Sequence, residues 1–273
     1  MAEITLAVVP STTPGDSPIA LDSLCGALSK LIGSPVRSAH PPTYEALAAG
    51  LERDQVQYAW MPPALLVLTE EQIKIRPLLS AVRNERTDYC AALFIDSAGP
   101  FEHLAELAGS TVAWVDPMSA AGYLCPRLHL AARGFDPRRF FGRELFLHSH
   151  AEVVRAVFDG RASIGATYGE RPEEGQPVRR AGFCDIAPDR VARVLEWTPA
   201  IPNDMIAGHG LMPTAEHRVF GNAILTLAER ESGRQLLYSA FHADRFVTTP
   251  RDALRPLRDL VRHARASGLL NQL

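Results

Sequence analysis

Short β-rich apolar runs alternate with segments of helical spacing along the first two thirds of the chain. The runs that predict strands are 4–9, 56–60, 89–95, 111–115, 144–147 and 163–168. The segments with apolar residues three and four positions apart, which predict helices, are 18–31, 44–52, 63–68, 101–107, 123–133 and 151–159. Such alternation is typical of parallel or mixed sheets flanked by helices. The sequence therefore predicts an α/β protein.

The last third of the chain has a mostly helical pattern. Apolar residues recur at three- and four-residue spacing in 214–231, 234–242 and 251–267, so these helices are predicted to pack onto a sheet that is already formed. Ligands of open α/β sheets bind beyond the carboxyl ends of the strands. Residues that directly follow the predicted strands are therefore the candidates for a binding site.

Composition excludes several classes of partner. With 273 residues, of which 47% are hydrophobic, the chain is long enough for two lobes or one large domain. Its net charge is −3, and acids and bases are interspersed, so neither a nucleic acid nor an anionic membrane surface is predicted as a partner. No apolar run approaches the roughly 20 residues that span a bilayer, so we do not expect a membrane-embedded protein.

The N-terminus and the cysteines bear on the cellular compartment. The chain enters its first predicted strand with neither a basic n-region nor a long apolar h-region, which predicts a cytoplasmic protein as the sequence is written. If an export signal had been removed, the location would be periplasmic. Cys25, Cys90, Cys125 and Cys184 are widely separated and form no CxxC pair, so free thiols are expected.

The stretch 115–127 has the pattern of a strand that stops where a helix begins. Asp116-Pro117 breaks the strand, Ser119 is suited to cap a helix, and helical spacing continues from Gly122. The first turn of a helix has unpaired N–H donors and the positive end of a dipole, which favour an anion. The alternative is an ordinary strand–turn–helix connection without a ligand.

This stretch and three others resemble the phosphonate- and phosphite-binding branch of the periplasmic substrate-binding proteins of ABC transporters. Members of that family read Asp-Pro-x-Ser-Thr-Ser-Gly-Tyr, then Gly-x-Asp-Pro and paired aromatics, as this chain does from 116 to 141 apart from two positions. The other segments that agree in order and spacing are 43–47 with 58–63, 149–160, and 201–204 with 211–213.

The resemblance implies the type 2 periplasmic-binding fold, with two α/β lobes joined by a double-crossover hinge. One lobe would contain 1–95 and 204–273, and the other 96–203. The implied function is capture of a small anionic molecule in an interlobe cleft, with an ABC permease or a signalling protein as partner and without a cofactor. The alternatives are an enzyme on the same bilobal fold and the effector-sensing domain of a regulator. No Ser-His-Asp order or paired carboxylates support catalysis.

The resemblance also implies a set of ligand-binding residues. The first lobe would contribute two tyrosines, the second lobe a helix start and a histidine, and the return hinge an aspartate: Tyr44, Tyr89, Ser119, Ala120, Ala121, His150 and Asp204. Tyrosine hydroxyls and an imidazole can donate to an oxyanion, whereas a carboxylate would accept from a protonated oxyanion or an ammonium group. The alternatives are half-buried core tyrosines, a histidine beside a helix cap, and an Asx turn at Asp204.

Two departures from the family pattern change the expected specificity. Ala120 and Ala121 stand where the family has Thr and Ser, so two hydroxyl donors are missing. A hydrogen bond to a charged group contributes about 1.5–3 kcal/mol, so their loss is expected to weaken phosphonate binding on the order of a hundredfold. His148 and His150 alternate at a predicted strand end and would face one side, but without a third ligand nearby no metal site is predicted.

Overall fold

A computed structural model describes residues 3–9, 18–70, 72–117, 119–136 and 138–266. Its strands are β1 (Ile4–Val8), β2 (Val36–Ala39), β3 (Tyr58–Met61), β4 (Ile75–Val82), β5 (Asp88–Asp96), β6 (Thr111–Trp114), β7 (Arg143–Phe146), β8 (Ile164–Gly169), β9 (Ala192–Trp197), β10 (Ile201–Pro202), β11 (Met205–His209) and β12 (Arg245–Thr248). Its α-helices are α1 (Pro18–Ile32), α2 (Tyr44–Glu52), α3 (Pro63–Thr69), α4 (Cys125–Ala132), α5 (His150–Phe158), α6 (Gly182–Ile186), α7 (Thr214–Ala228), α8 (Glu231–Phe241) and α9 (Arg255–Ala266). The predicted α/β class is confirmed.

Contacts within the chain divide it into two compact units. Unit 1 contains Met1–Thr87 and Pro202–Ala253, and unit 2 contains Asp88–Ile201 and Leu254–Leu273. The division differs from the expected lobes at its first boundary, which lies at 87/88 rather than near 95. It also differs at the C-terminus, because α9 packs against α4 in unit 2, with Leu257 and Val261 buried. The chain therefore passes between the units three times.

Unit 1 is built on a six-stranded sheet in the order β12-β4-β11-β3-β1-β2. Strands β2, β1 and β3 are parallel, while β11 runs antiparallel to both β3 and β4. Because Met205 pairs with Met61, the start of β11 lies beside the end of β3. We call this end of the sheet, where β1, β2 and β3 finish, the carboxyl edge of unit 1.

Unit 2 is built on a second six-stranded sheet, in the order β10-β5-β8-β6-β7 with β9 also paired to β5. Strands β6, β7 and β8 are parallel, and β5 runs antiparallel to β8 with Cys90 opposite Gly169. The start of β5 therefore lies at the same end of the sheet as the carboxyl ends of β6, β7 and β8. We call this end the carboxyl edge of unit 2.

Some elements differ from the pattern expected from the sequence. The helix expected over 101–107 is a single turn of 3-10 helix at Leu104–Leu107. The last third is not only helical, because β12 lies between α8 and α9 and pairs with β4. Strand β12 has four residues, and only Phe246 among them is buried. With one buried position, the sequence shows no alternation of apolar and polar residues that would predict a strand.

Two observations concern membrane insertion and thiol chemistry. Across the part of the chain that the structure describes, no helix combines the length and hydropathy needed to cross a membrane. The second observation concerns the cysteines, all four of which are free thiols. Burial raises the pKa of the Cys25 and Cys125 thiols to about 12, so neither ionises at neutral pH.

Candidate functional site

The turn after β6 has the cap predicted from the sequence but an unusual first helical turn. The hydroxyl of Ser119 accepts a hydrogen bond from the amide of Gly122 at 3.0 Å. A π-helix spans Ala120–Leu124, and the Ser119 carbonyl accepts from the amides of both Tyr123 and Leu124, at 3.1 and 2.9 Å. Helix α4 continues from it. Single π-turns inside helices are rare and are found frequently at functional sites.

Glycine is required at position 122 because the turn lies directly on the end of the strand. A Cβ atom there would lie 2.3 Å from Cγ2 of Val115 and 2.7 Å from Oγ of Ser119. The amide of Val115 also donates to the carbonyl of Gly122 at 3.1 Å. This close backbone approach holds the start of the helix at the carboxyl edge of unit 2.

The amides of Ala120 and Ala121 are the free donors of this turn. Within the described residues, no group accepts a hydrogen bond from either amide. Both side chains are buried, with 9% and 3% of their surface exposed, and neither has a hydroxyl group. The turn therefore has unpaired backbone N–H donors without the side-chain donors that a Thr-Ser pair would add.

His150 lies at the same edge, as the first residue of α5. Its Nδ1 atom is 3.0 Å from the hydroxyl of Thr167, and its ring meets the ring of Tyr168 edge-on at 5.0 Å. Burial lowers the pKa of His150 to about 4, so the imidazole is neutral at physiological pH. Sequence reasoning missed Thr167, which is fully buried within the apolar run of β8.

The two histidines do not share a strand face, contrary to the expectation from their alternation. Strand β7 ends at Phe146, His148 has a left-handed backbone with φ of 62°, and His150 is already helical. The His148 side chain is 81% exposed, whereas His150 is half-buried. The described residues include no group of three His, Cys, Asp or Glu side chains that could hold a metal ion.

Tyr89 belongs to unit 2 rather than to the first lobe expected for it. It is the second residue of β5, is half-buried, and lies at the end of β5 that meets the carboxyl edge. The structure therefore brings Tyr89, the Ser119 turn and His150 to one edge of one sheet. The expected boundary near 95 had separated the tyrosine from the other two.

The other two predicted site residues lie at the carboxyl edge of unit 1. Tyr44 begins α2 behind its N-cap Thr43, but the side chain of Tyr44 lies outside the described part of the structure. Asp204 precedes β11, and its Oδ2 atom accepts from Nη2 of Arg83 at 2.9 Å. Arg83 also donates to the carbonyl of His242 at 2.9 Å. Asp204 thus has a protein cation as partner, which the sequence did not indicate.

A partly buried polar network lies next to the Ser119 turn. The Glu144 carboxylate accepts from Nε1 of Trp114 at 2.7 Å and from Nη1 of Arg127 at 2.6 Å. The guanidinium of Arg127 lies over the ring of Tyr123, at 5.1 Å from its centroid. Because Trp114 ends β6 and Arg127 is in α4, this carboxylate ties the strand to the helix on either side of the turn.

The chain is similar to known proteins in sequence and in fold. The model of the family described as "ABC transporter, phosphonate, periplasmic substrate-binding protein" matches residues 6–254. Among curated proteins, the phosphate-import protein PhnD of Mycolicibacterium smegmatis is 29% identical over 135 residues. That alignment covers 48% of this chain and 42% of the relative, so it spans less than half the length of the curated protein.

Solved structures share the fold over nearly the whole chain. A protein of Xanthomonas citri, solved with bound ATP, has a TM-score of 0.77 at 19% identity and covers 97% of this chain and 98% of its own. PhnD1 of Prochlorococcus marinus, in complex with methylphosphonate, has a TM-score of 0.66 at 16% identity and covers 98% of each chain. The aliphatic sulphonate binding protein SsuA of Escherichia coli has a TM-score of 0.58 at 14% identity, covering 97% and 93%. At these identities the likeness shows the fold and not the ligand.

Proposed function

Because this chain belongs to the family of periplasmic substrate-binding proteins of phosphonate ABC transporters and has their type 2 fold, we propose that it captures a small oxyanion without chemical conversion. The observation that supports this most directly is the pair of unpaired amides at Ala120 and Ala121, at the sheet edge that also holds His150. Tyr44, Tyr89, Ser119 and Asp204 complete the proposed set of binding residues.

The donors in unit 2 favour a singly charged ligand. Backbone amides and a neutral imidazole can each donate a hydrogen bond, but none carries a full positive charge. The nearby guanidinium of Arg127 is paired with Glu144. A second negative charge on the ligand would lose hydration without gaining a cation as partner, which costs free energy. We therefore propose a monoanion, such as a sulfonate, a carboxylate or a singly ionised phosphonate.

Ser119 is proposed to contact the ligand directly. Its hydroxyl already accepts from Gly122, so it retains one hydrogen to donate to a ligand. Ala120 and Ala121 have no hydroxyl groups, whereas relatives with the Ser-Thr-Ser pattern have three hydroxyls in this turn. We therefore propose that the ligand specificity of this chain differs from that of those relatives. The partner is proposed to be an ABC permease, and the location the periplasm, as for the family.

Thermal-shift and calorimetric titration test the ligand class. The panel contains methanesulfonate, acetate, succinate, methylphosphonate, phosphite and ATP, at pH values where each charge state is known. A ligand at 100 times its Kd stabilises the folded state by about 2.7 kcal/mol. We expect the monoanions to stabilise more than the dianions. If no member of the panel stabilises the protein, or if a stabilising ligand is converted to product, the proposed function is wrong.

A proline substitution tests the amide donors directly. Ala120→Pro deletes one N–H at the first helical position, where proline is tolerated. Ser119 has φ of −71° and ψ of 118°, which suits a residue that precedes proline. Ala120→Gly keeps the amide and is the matched control. We expect Ala120→Pro to weaken oxyanion binding about tenfold and Ala120→Gly to change it much less; equal affinities would contradict the proposed contact.

A further inference from the structure

A groove with a volume of about 440 Å³ lies on unit 1, between α1, the end of α7 and α8. Its apolar lining is formed by Gly26, Ala27, Leu31, Leu227 and Leu236. Helix α1 leads from the end of β1 to the start of β2, so its last turns lie at the opposite end of the sheet from the carboxyl edge. The groove is therefore separate from the proposed oxyanion site.

Two cationic side chains line the groove. Lys30 and Arg230 both line it, and no acidic residue does. No ion pair or hydrogen bond of the described residues joins either side chain to a carboxylate, and Glu231, the neighbour of Arg230, pairs with Arg234. An anionic group placed between them would gain two attractive charges and displace no existing pair.

Gly26 is an exposed residue of α1 that lines the groove without a side chain. A Cβ atom on Gly26 would meet nothing within 4 Å, although Gly26 lies within α1. A helix-interior glycine costs about 1 kcal/mol relative to alanine, and no contact in the structure requires it here. Leu31, which lines the groove, is 45% exposed.

We propose that this groove binds a medium-chain carboxylate, with its head group between Lys30 and Arg230 and its alkyl chain along α1. From Ser23 to Leu31 the helix axis rises about 12 Å, which an extended chain of about ten carbons spans. The volume falls within the range of small-molecule sites. This site does not depend on the proposed oxyanion function.

Calorimetric titration with decanoate, below its micelle concentration, tests the site. We expect one decanoate per chain, and about tenfold weaker binding for Lys30→Gln or Arg230→Gln. Arg218→Gln is the charge control, because Arg218 is exposed on α7 and does not line the groove. Decyltrimethylammonium has a chain of the same length and a cationic head. If it binds as tightly as decanoate, the charge recognition is wrong.

Substitutions at Gly26 separate groove filling from a change in helix stability. Gly26→Ala and Gly26→Leu both replace a helical glycine, but only leucine fills the groove. We expect Gly26→Leu to weaken decanoate binding at least tenfold and Gly26→Ala to weaken it less than threefold. Both variants should keep the oxyanion affinity of the unmodified protein. Decanoate binding that survives Gly26→Leu would overturn the proposal, whether or not the oxyanion site is real.

Discussion

The hydroxyl of Thr167 lies 3.0 Å from Nδ1 of His150, and this contact leaves Nε2 as the ring nitrogen available to a ligand. When the hydroxyl donates to Nδ1, the proton of the neutral ring is on Nε2, where it can be donated to an oxyanion. In that tautomer, the neutral imidazole is a donor at Nε2 because the buried threonine occupies Nδ1. The specificity for singly charged ligands proposed above follows from this pairing.

Replacing Thr167 by valine removes this hydroxyl while keeping a similar shape. We expect Thr167→Val to lower oxyanion affinity about tenfold and the free energy of unfolding by about 1–3 kcal/mol, because Nδ1 of His150 is left without its partner. Thr167→Ser keeps the hydroxyl and should restore most of the affinity. Titration calorimetry and urea unfolding measure both effects, and NMR of the imidazole nitrogens reports the tautomer. An unchanged tautomer in Thr167→Val would show that the threonine does not set it.

The low pKa of His150 predicts a loss of stability in acid. Its pKa is about 4 in the folded protein and about 6.5 when the chain is unfolded, so the unfolded state binds the proton more readily. This contribution to stability is complete above about pH 6.5 and is lost as the pH falls towards 4. It amounts to about 3 kcal/mol. Urea unfolding at pH 7.5 and 4.5 measures it.

His150→Gln is the comparison for this pH effect, because glutamine does not titrate. We expect the loss of stability between pH 7.5 and 4.5 to be smaller in this variant than in the unmodified protein. Burial also lowers the pKa of His217, which is a further source of acid sensitivity in both proteins. Parallel pH profiles for the two proteins would show that His150 is not the group responsible.

Gly122→Ala should disturb the Ser119 turn. The added methyl group would lie 2.3 Å from Cγ2 of Val115, so we expect a loss of about 1–3 kcal/mol in stability together with weaker oxyanion binding. Adding Val115→Ala removes the contact with Cγ2 but leaves Cβ of residue 115 at 2.5 Å, so the double variant should lose somewhat less than the sum of the two single variants. Thermal and urea unfolding of the unmodified protein, the two single variants and the double variant measure the free energies of this double-mutant cycle. Strict additivity would mean that the two residues do not compete for this space.

Restoring the two hydroxyls should restore phosphonate affinity. We expect the double variant Ala120→Thr, Ala121→Ser to bind methylphosphonate on the order of a hundredfold more tightly. The control is Ala120→Val with Ala121 unchanged, because valine has the shape of threonine without its hydroxyl. Calorimetry compares the dissociation constants. A folded Thr-Ser variant with no gain over the valine variant would remove these two positions from the proposed pocket.

Local chemistry explains what could be predicted from the sequence. Ser119 caps a helix because its hydroxyl accepts from an amide three residues later, and this relation is contained within four consecutive residues. The segments with strong periodicity, such as α1 and β5, lie within a few residues of their predicted bounds for the same reason. These features depend on neighbours in the sequence, so the sequence alone indicates them.

Features that depend on distant residues could not be predicted. The sequence shows that α9 has an apolar face, but it does not show that α4 packs against this face. Any other apolar surface of the protein could bury the same helix face. Thr167 and Glu144 read as ordinary strand residues until the fold brings each against a partner 17 or more positions away. The ion pair between Asp204 and Arg83 joins residues 121 positions apart, so it also depends on the fold.

The third passage of the chain between the units has a practical consequence for measurement. Because β1 lies in unit 1 and α9 in unit 2, fluorophores attached beside these two elements are carried by different units. Energy transfer between them would report directly on any ligand-linked change in their separation. In the layout expected from the sequence, the chain would pass between the lobes only twice, and both labels would be carried by the same lobe. Energy transfer between them would then not respond to a change in the separation of the lobes.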